Sequence, residues 1–199
     1  MDVGSNTGMF VVVAYYTKNT FYEDIIKVLE NSLISLSIPY DIVGVENLGS
    51  WDKNTHYKPT FILSMLEKYN PKSVVYVDAD AVFNKYPELF EKLDCDIAIH
   101  CLDISKYQKN RKIKELLSGT IFFKNSPKAI NILTRWKDDC RNHPSVWDSK
   151  LLTTIVGDAY FNLPPEYCTI FDTMSDVKDP VITHFQASRR VRKNKGKLI

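Results

Sequence analysis

The stretch Ser73-Val74-Val75-Tyr76-Val77-Asp78-Ala79-Asp80-Ala81-Val82-Phe83 constrains the fold more than any other part of the chain. Four of its first five residues are β-branched or aromatic and Asn70-Pro71 bounds it upstream, so it reads as a buried strand running directly into two carboxylates. Residues i and i+2 of an extended segment share a face, about 6–7 Å apart, which aims Asp78 and Asp80 at one ligand. In an open α/β sheet the ligand crevice lies beyond the carboxyl ends of the strands, where this pair falls. Asp94-Cys95-Asp96 is a control with the same spacing, but it precedes the apolar run Ile97-Ala98-Ile99 and so belongs to the opposite end of a strand. The glycine and later acidic ligands of an EF-hand are missing after Asp80, which excludes a calcium loop of that kind.

The flanking sequence supplies the rest of an α/β pattern. Residues 10–15 form a continuous apolar run, as in a central strand covered on both faces, and Tyr16-Thr17-Lys18-Asn19 follows as its carboxyl-end loop. Thr20-Phe21-Tyr22-Glu23 fits a capping box, and Ile25, Ile26, Leu29, Leu33 and Leu36 recur at helical spacing, predicting a helix over 21–36. A second strand over 39–45 completes a βαβ opening. Residues 49–55 read as polar loop, with Trp51 and Tyr57 covering the core. Lys58-Pro59 starts a helix whose buried stripe is Phe61, Ile62, Met65, Leu66 and Tyr69. Lys58 therefore opposes the helix dipole at an N-terminus, and an anionic ligand would account for it.

After Asp80 the pattern predicts a short helix over 87–93, a strand over 96–101, and an exposed loop over 102–115 that carries five lysines and arginines. A strand over 119–123 leads to Ser126-Pro127, which caps a helix to residue 140 with Ile130, Leu133 and Trp136 inward. A further helix over 147–156 buries Leu151, Leu152 and Ile155 and places Asp148 in its first turn. Short strands and turns fill 160–172, and a last strand over 180–185 delivers His184. The fold class is α/β, a single Rossmann-like domain over 10–193 with a central mixed, mostly parallel sheet flanked by helices. Residues 1–9 read as a loose leader and 194–199 as a basic tail.

Composition narrows the setting. At 199 residues and 44% apolar, the chain supports one well-buried core. No run of about 18 apolar residues exists and the first residues lack the order of a signal peptide, so no membrane span is expected. The cysteines Cys95, Cys101, Cys140 and Cys168 are scattered with no Cys-x-x-Cys, which suits reduced thiols in a cytoplasmic protein. Of the formal net charge of +2, six cations lie at Arg189, Arg190, Arg192, Lys193, Lys195 and Lys197; removing these six leaves −4. Basicity this local suits a phosphate partner more than a polyanion surface. Without a helix-turn-helix or aromatic RNA-binding pattern, a DNA-binding or DNA-modifying reading would rest on that tail alone, and nucleic acid is not the expected partner.

Two carboxylates and the His184 imidazole around one divalent cation, with lysine and arginine nearby, suit a diphosphate. Oxygen ligands fit Mg²⁺ or Mn²⁺, and a nitrogen ligand favours Mn²⁺ of the two. On these residues the chain resembles the small GT-A glycosyltransferases, metal-dependent enzymes that use nucleotide sugars. It is most similar to the retaining branch with the lipopolysaccharide galactosyltransferases, glycogenin and the xyloglucan xylosyltransferases, and within it to virus-encoded capsid-glycan glycosyltransferases.

The resemblance implies roles residue by residue. Asp78-Ala79-Asp80 stands where the family has its metal-binding Asp-x-Asp, with Asp78 and Ala79 also in the donor site and His184 as third metal ligand. Ala14, Tyr15, Tyr16 and Thr17 stand where the first strand holds nucleobase and ribose. Lys58 takes the place of a basic residue at phosphate and donor sugar, and Ser118, Gly119 and Thr120 resemble the strand lining the sugar pocket. Asp148-Ser149 resembles a catalytic Asp-Gln pair at the donor sugar, with serine where glutamine is usual. Arg189 and Arg190 fall where a later cation grips the diphosphate; the family more often has glycine at position 187 and lysine at 190. The implied reaction is transfer of a hexose from a UDP-sugar, of the UDP-glucose kind, to an oligosaccharide or glycoprotein glycan acceptor, in the cytoplasm of a cell or of an infected host cell. A nucleotidyltransferase is the alternative enzyme, but its glycine-rich basic signature after the first strand is absent.

Overall fold

β1 (Phe10–Thr17), α1 (Tyr22–Ser35) and β2 (Tyr40–Val45) form the βαβ opening, with β1 and β2 parallel. The computed structural model describes residues 9–107 and 114–187. Helices α2 (Trp51–His56) and α3 (Lys58–Lys68) lead to β3 (Ser73–Val77), which lies parallel to β1 on its other side. β4 (Ala81–Phe83), β5 (Ile97–Asp103) and β6 (Lys114–Phe123) follow, then α4 (Pro127–Asn142), α5 (Asp148–Val156), β7 (Phe161–Asn162), β8 (Thr169–Ile170) and β9 (Ile182–His184). The main sheet has six strands in the order β2-β1-β3-β6-β5-β7, with β6 antiparallel to both β3 and β5, and a second sheet has the order β4-β9-β8.

Period-two alternation assigns each strand's side chains to two cores. Val11, Val13, Val74, Tyr76, Ile121 and Phe123 face α3, α4 and α5, where Phe61, Leu66, Leu133, Trp136 and Leu152 meet them. Phe10, Val12, Val75, Val77 and Phe122 point the other way, onto Ile26, Leu29 and Leu33 of α1 and onto Phe83 and Phe90. Two covered faces explain why the strand sequences are apolar without a break.

Several expectations are corrected. Residues 49–55 are not a plain loop, because Ser50 accepts the Lys53 N–H and caps α2. Trp51 is 36% exposed on that helix and lines a cavity instead of the core, whereas Tyr57 does pack on the core. The expected loop over 102–115 is strand at both ends, since β5 and β6 pair as far as Asp103 opposite Lys114 with Leu102 buried; Ile104–Lys106 form a short 3-10 turn, and residues 108–113 of that loop lie outside the described residues. Ile130 is exposed, since the buried stripe of α4 is Ala129, Ile132, Leu133, Trp136 and Cys140, about 100° around the helix. The capping box does not form as expected. Glu23 reaches the Asn19 N–H at 2.8 Å, and Thr20 accepts the Tyr22 N–H. Arg189, Arg190, residues 1–8 of the leader and the 194–199 tail lie outside the described residues.

Candidate active site

β1 and β3 are parallel, so their carboxyl ends open on the same side, and β6 runs back past the end of β3. There the chain leaves a cavity of about 540 Å³ lined by residues from β1, α2, β3, β5, β6, α5 and the second sheet. Asp78 N–H donates to the Gly119 carbonyl at 2.9 Å, which fixes the first carboxylate beside Ser118-Gly119.

Lys58 sits at the centre of the arrangement and its side chain is only 4% exposed. Its Nζ lies 3.1 Å from Asp148 Oδ2, 3.2 Å from Asp78 Oδ1 and 3.2 Å from Ser118 Oγ, and over the Tyr76 ring. Ser118 Oγ donates to Asp148 Oδ2, and Trp136 Nε1 donates to the Asp148 carbonyl. Burial alone would discourage the ammonium, but Asp148 and Asp78 outweigh it and raise Lys58 above the ordinary lysine value. The cation at the start of α3 therefore has two of the protein's own carboxylates as anions, a reason the helix-dipole argument left to a ligand. It ties together the starts of α3 and α5 and the end of β3.

Asp80 and His184 form the neighbouring unit. Asp80 Oδ2 accepts the Ala187 N–H at 2.7 Å, and Asp80 Oδ1 stands 3.5 Å from His184 Nδ1. His184 Nε2 shares a hydrogen with Thr120 Oγ1 at 2.7 Å, which fixes the ring and turns Nδ1 toward the carboxylates. Burial works against the imidazolium, but Asp80 prevails and pushes His184 up to about 10. Burial would likewise raise Asp80, yet His184 and the Ala187 N–H hold it below the ordinary carboxylate range. Gly119 is what permits this approach. A Cβ there would stand 3.1 Å from His184 Cε1 and 3.5 Å from Asp78 Oδ2. Hard oxygens and one imidazole nitrogen have the chemistry for Mn²⁺ or Mg²⁺. Among the described residues, however, no three His, Cys, Asp or Glu side chains are grouped closely enough to hold an ion as they stand.

The other predicted residues divide. Tyr15, Tyr16, Thr17, Ala79, Ser118, Gly119, Asp148 and Ser149 line the cavity together with Asp78, Asp80, Lys58 and His184. Ala14 is fully buried against the α1 core, away from the cavity walls, and Thr120 is buried behind His184. The Tyr15 hydroxyl donates to the Asn54 carbonyl at 2.6 Å, so its ring, packed on Tyr57 and Phe61, forms a wall. Tyr76 was missed. Its hydroxyl donates to Asp78 Oδ1 at 2.7 Å, and burial, aided by the Asp78 charge, raises its phenol so that it stays a donor. The signal was available, since residues 76 and 78 share a strand face. Trp51, Asn54 and Thr55 were hidden in the segment read as loop.

Comparisons with known proteins bear on the family and the fold. A family model described as nucleotide-diphospho-sugar transferase matches residues 49–195. Among solved structures, the chain is similar to a glycosyltransferase involved in the glycosylation of the major capsid of PBCV-1, at 14% identity and TM-score 0.67, covering 94% of this chain and 97% of that one. It is similar to the glycosyltransferase GlyE of Streptococcus pneumoniae TIGR4 at 15% identity and TM-score 0.62, covering 89% of this chain and 54% of that one. The galactosyltransferase LgtC, in complex with donor and acceptor sugar analogs, gives 9% identity and TM-score 0.57, covering 94% and 96%. At these identities the likeness is one of fold. Among curated proteins no sequence matches. No helix among the described residues is long and apolar enough to cross a membrane.

Proposed function

Because the chain belongs to the nucleotide-diphospho-sugar transferase family, we propose that it moves a hexose from a UDP-sugar, of the UDP-glucose kind, to a hydroxyl of an oligosaccharide or glycoprotein glycan, with retention at the transferred carbon. The observation that carries this reading is the buried Lys58 held between Asp78 and Asp148 in the cavity at the ends of β1 and β3. Tyr15, Tyr16 and Thr17 provide the wall for nucleobase and ribose. Asp78, Asp80 and His184 would hold Mn²⁺ or Mg²⁺, which as a Lewis acid stabilises charge on a departing diphosphate. Arg189 and Arg190, in the basic C-terminal segment, would add cations to the same anion. Lys58 keeps two carboxylates at fixed separation without mutual repulsion. Asp148, beside Ser149, then accepts a donor-sugar hydroxyl and orients the ring. A viral capsid glycan is one acceptor within this reading, on the likeness to the PBCV-1 enzyme.

A panel of nucleotide sugars incubated with the protein and Mn²⁺ tests the reading through release of free nucleotide by slow hydrolysis. UDP should appear from a UDP-hexose and depend on the metal. Folded protein that releases nucleotide from no member of the panel would contradict it. Asp148→Asn should lower turnover about 100-fold while UDP affinity stays within a few fold; a parallel loss of UDP affinity would move Asp148 into the nucleotide site.

A further inference from the structure

The walls of the cavity differ on the two sides of Asp78. β3 is central in the strand order, with β1 on one side and β6 and β5 on the other. Tyr15, Tyr16 and Trp51 line the β1 side. On the β5–β6 side a third apolar cluster, separate from both sheet cores, joins buried Leu102, Ile170 and Met174 to half-buried Ile104, Tyr107 and Leu117. Leu102, Ile104, Tyr107, Leu117 and Ile170 of that cluster face the cavity.

Polar atoms on this side are turned to other partners. The Tyr107 hydroxyl donates to Asp176 Oδ1 at 2.8 Å, so what the residue offers the cavity is its ring. Thr173 Oγ1 donates to Asp172, and the Cys168 thiol points at the Leu117 carbonyl. Among the described residues Glu115 is the charged side chain on this wall, able to accept one hydroxyl and set an orientation. A sugar hydroxyl pressed against the described side chains Leu102, Ile104, Leu117 and Ile170 loses water without gaining a partner from them, whereas a methyl group there is favourably buried.

We infer that the β5–β6 end is the acceptor side and takes a deoxy sugar, one that presents a methyl group where an ordinary hexose carries its exocyclic hydroxyl. The inference rests on the transferase reading, which puts the donor's nucleoside on the β1 side and its sugar at Asp148, leaving the apolar wall beyond them for the acceptor. Ile104, Leu117 and Ile170 receive the methyl, the Tyr107 ring covers the apolar face of the pyranose, and Glu115 accepts a ring hydroxyl. Selectivity follows from the hydroxyl left unpaired in the wrong acceptor, which is worth about tenfold or more in kcat/KM.

Matched methyl glycosides test it: D-galactoside against D-fucoside, D-glucoside against 6-deoxy-D-glucoside, and L-mannoside against L-rhamnoside, each with the donor that the hydrolysis assay identifies. The deoxy member of at least one pair should be preferred by about tenfold in kcat/KM, and Ile104→Ser should bring that ratio toward one. Ratios near one or reversed in every pair, while UDP release without acceptor proceeds, overturn the inference and leave the transferase reading intact. An unchanged ratio in Ile104→Ser also overturns it. So does a gain that comes only from replacing a methyl aglycone by octyl, since the apolar wall would then serve an alkyl chain. If neither hydrolysis nor transfer occurs with any donor, the transferase reading fails and this inference falls with it.

Discussion

Asp78-Ala79-Asp80 leaves a strand and Asp94-Cys95-Asp96 enters one, and the two segments use the same carboxylates in different ways. The first pair lines the cavity, with Asp78 on buried Lys58 and Asp80 on buried His184. The second lies outside. Asp94 pairs with Lys124, and Asp96 accepts the Ser126 hydroxyl at 2.7 Å and pairs with Lys128, both lysines being exposed. Ser126 in turn accepts the Ala129 N–H, so the second pair steadies the start of α4. Spacing is therefore no guide to role. Strand direction decides which carboxylates reach the crevice, and burial of the partner decides how much the pairing matters.

The largest effect that this contrast predicts is on stability. Lys58→Met leaves buried Asp148 without its cation and should cost about 3–5 kcal/mol in denaturant unfolding. Lys124→Met, at a solvated pair, should not measurably move the midpoint. Similar shifts in both would erase the distinction.

An intermediate effect is expected at Gly119. Gly119→Ala presses on His184 and Asp78 and should weaken Mn²⁺-dependent UDP binding about tenfold, with a small loss of stability. Unaltered binding would show that the approach of β6 to these side chains does not shape the site.

The smallest effect is expected at Asp96. Asp96→Asn should leave Mn²⁺-dependent turnover within a few fold and cost under about 1 kcal/mol. The Ser126 hydroxyl, with Lys128 and Lys124, holds the Asp96 carboxyl below its ordinary value of 3.8. Its stabilisation is therefore fully present above that value and lost as pH falls through the lowered one, and the asparagine variant should lack this part of the acid dependence. Turnover falling as far as in a variant of Asp80 would mean that the two segments are not distinct.

Much of this contrast was legible beforehand, because the apolar runs before Asp78 and after Asp96 give strand direction directly. The βαβ opening, the buried stripe of α3, Asp148 in the first turn of α5 and the delivery of His184 by β9 were legible for the same reason of periodicity. Helix α2 was not. Six residues are too few for a buried stripe, and Gly49, Ser50 and Asn54 favour turns when read alone. The first half of β6 was hidden by Lys114 and Glu115, whose pairing with β5 is a tertiary fact. The partners of Lys58 were out of reach for a deeper reason: Asp148 lies 90 residues away in sequence, and only the fold shows that its carboxylate meets the ammonium.

The central claim is that Asp78 and Asp80 face a diphosphate across a divalent cation. Titration calorimetry of UDP with Mn²⁺ and with EDTA, on the unaltered protein, Asp80→Asn and Asp96→Asn, tests it most directly. Binding should require Mn²⁺, nearly vanish in Asp80→Asn and persist in Asp96→Asn, because uncompensated carboxylates repel the diphosphate. Equal UDP affinity in EDTA, or full affinity in Asp80→Asn, would contradict the account.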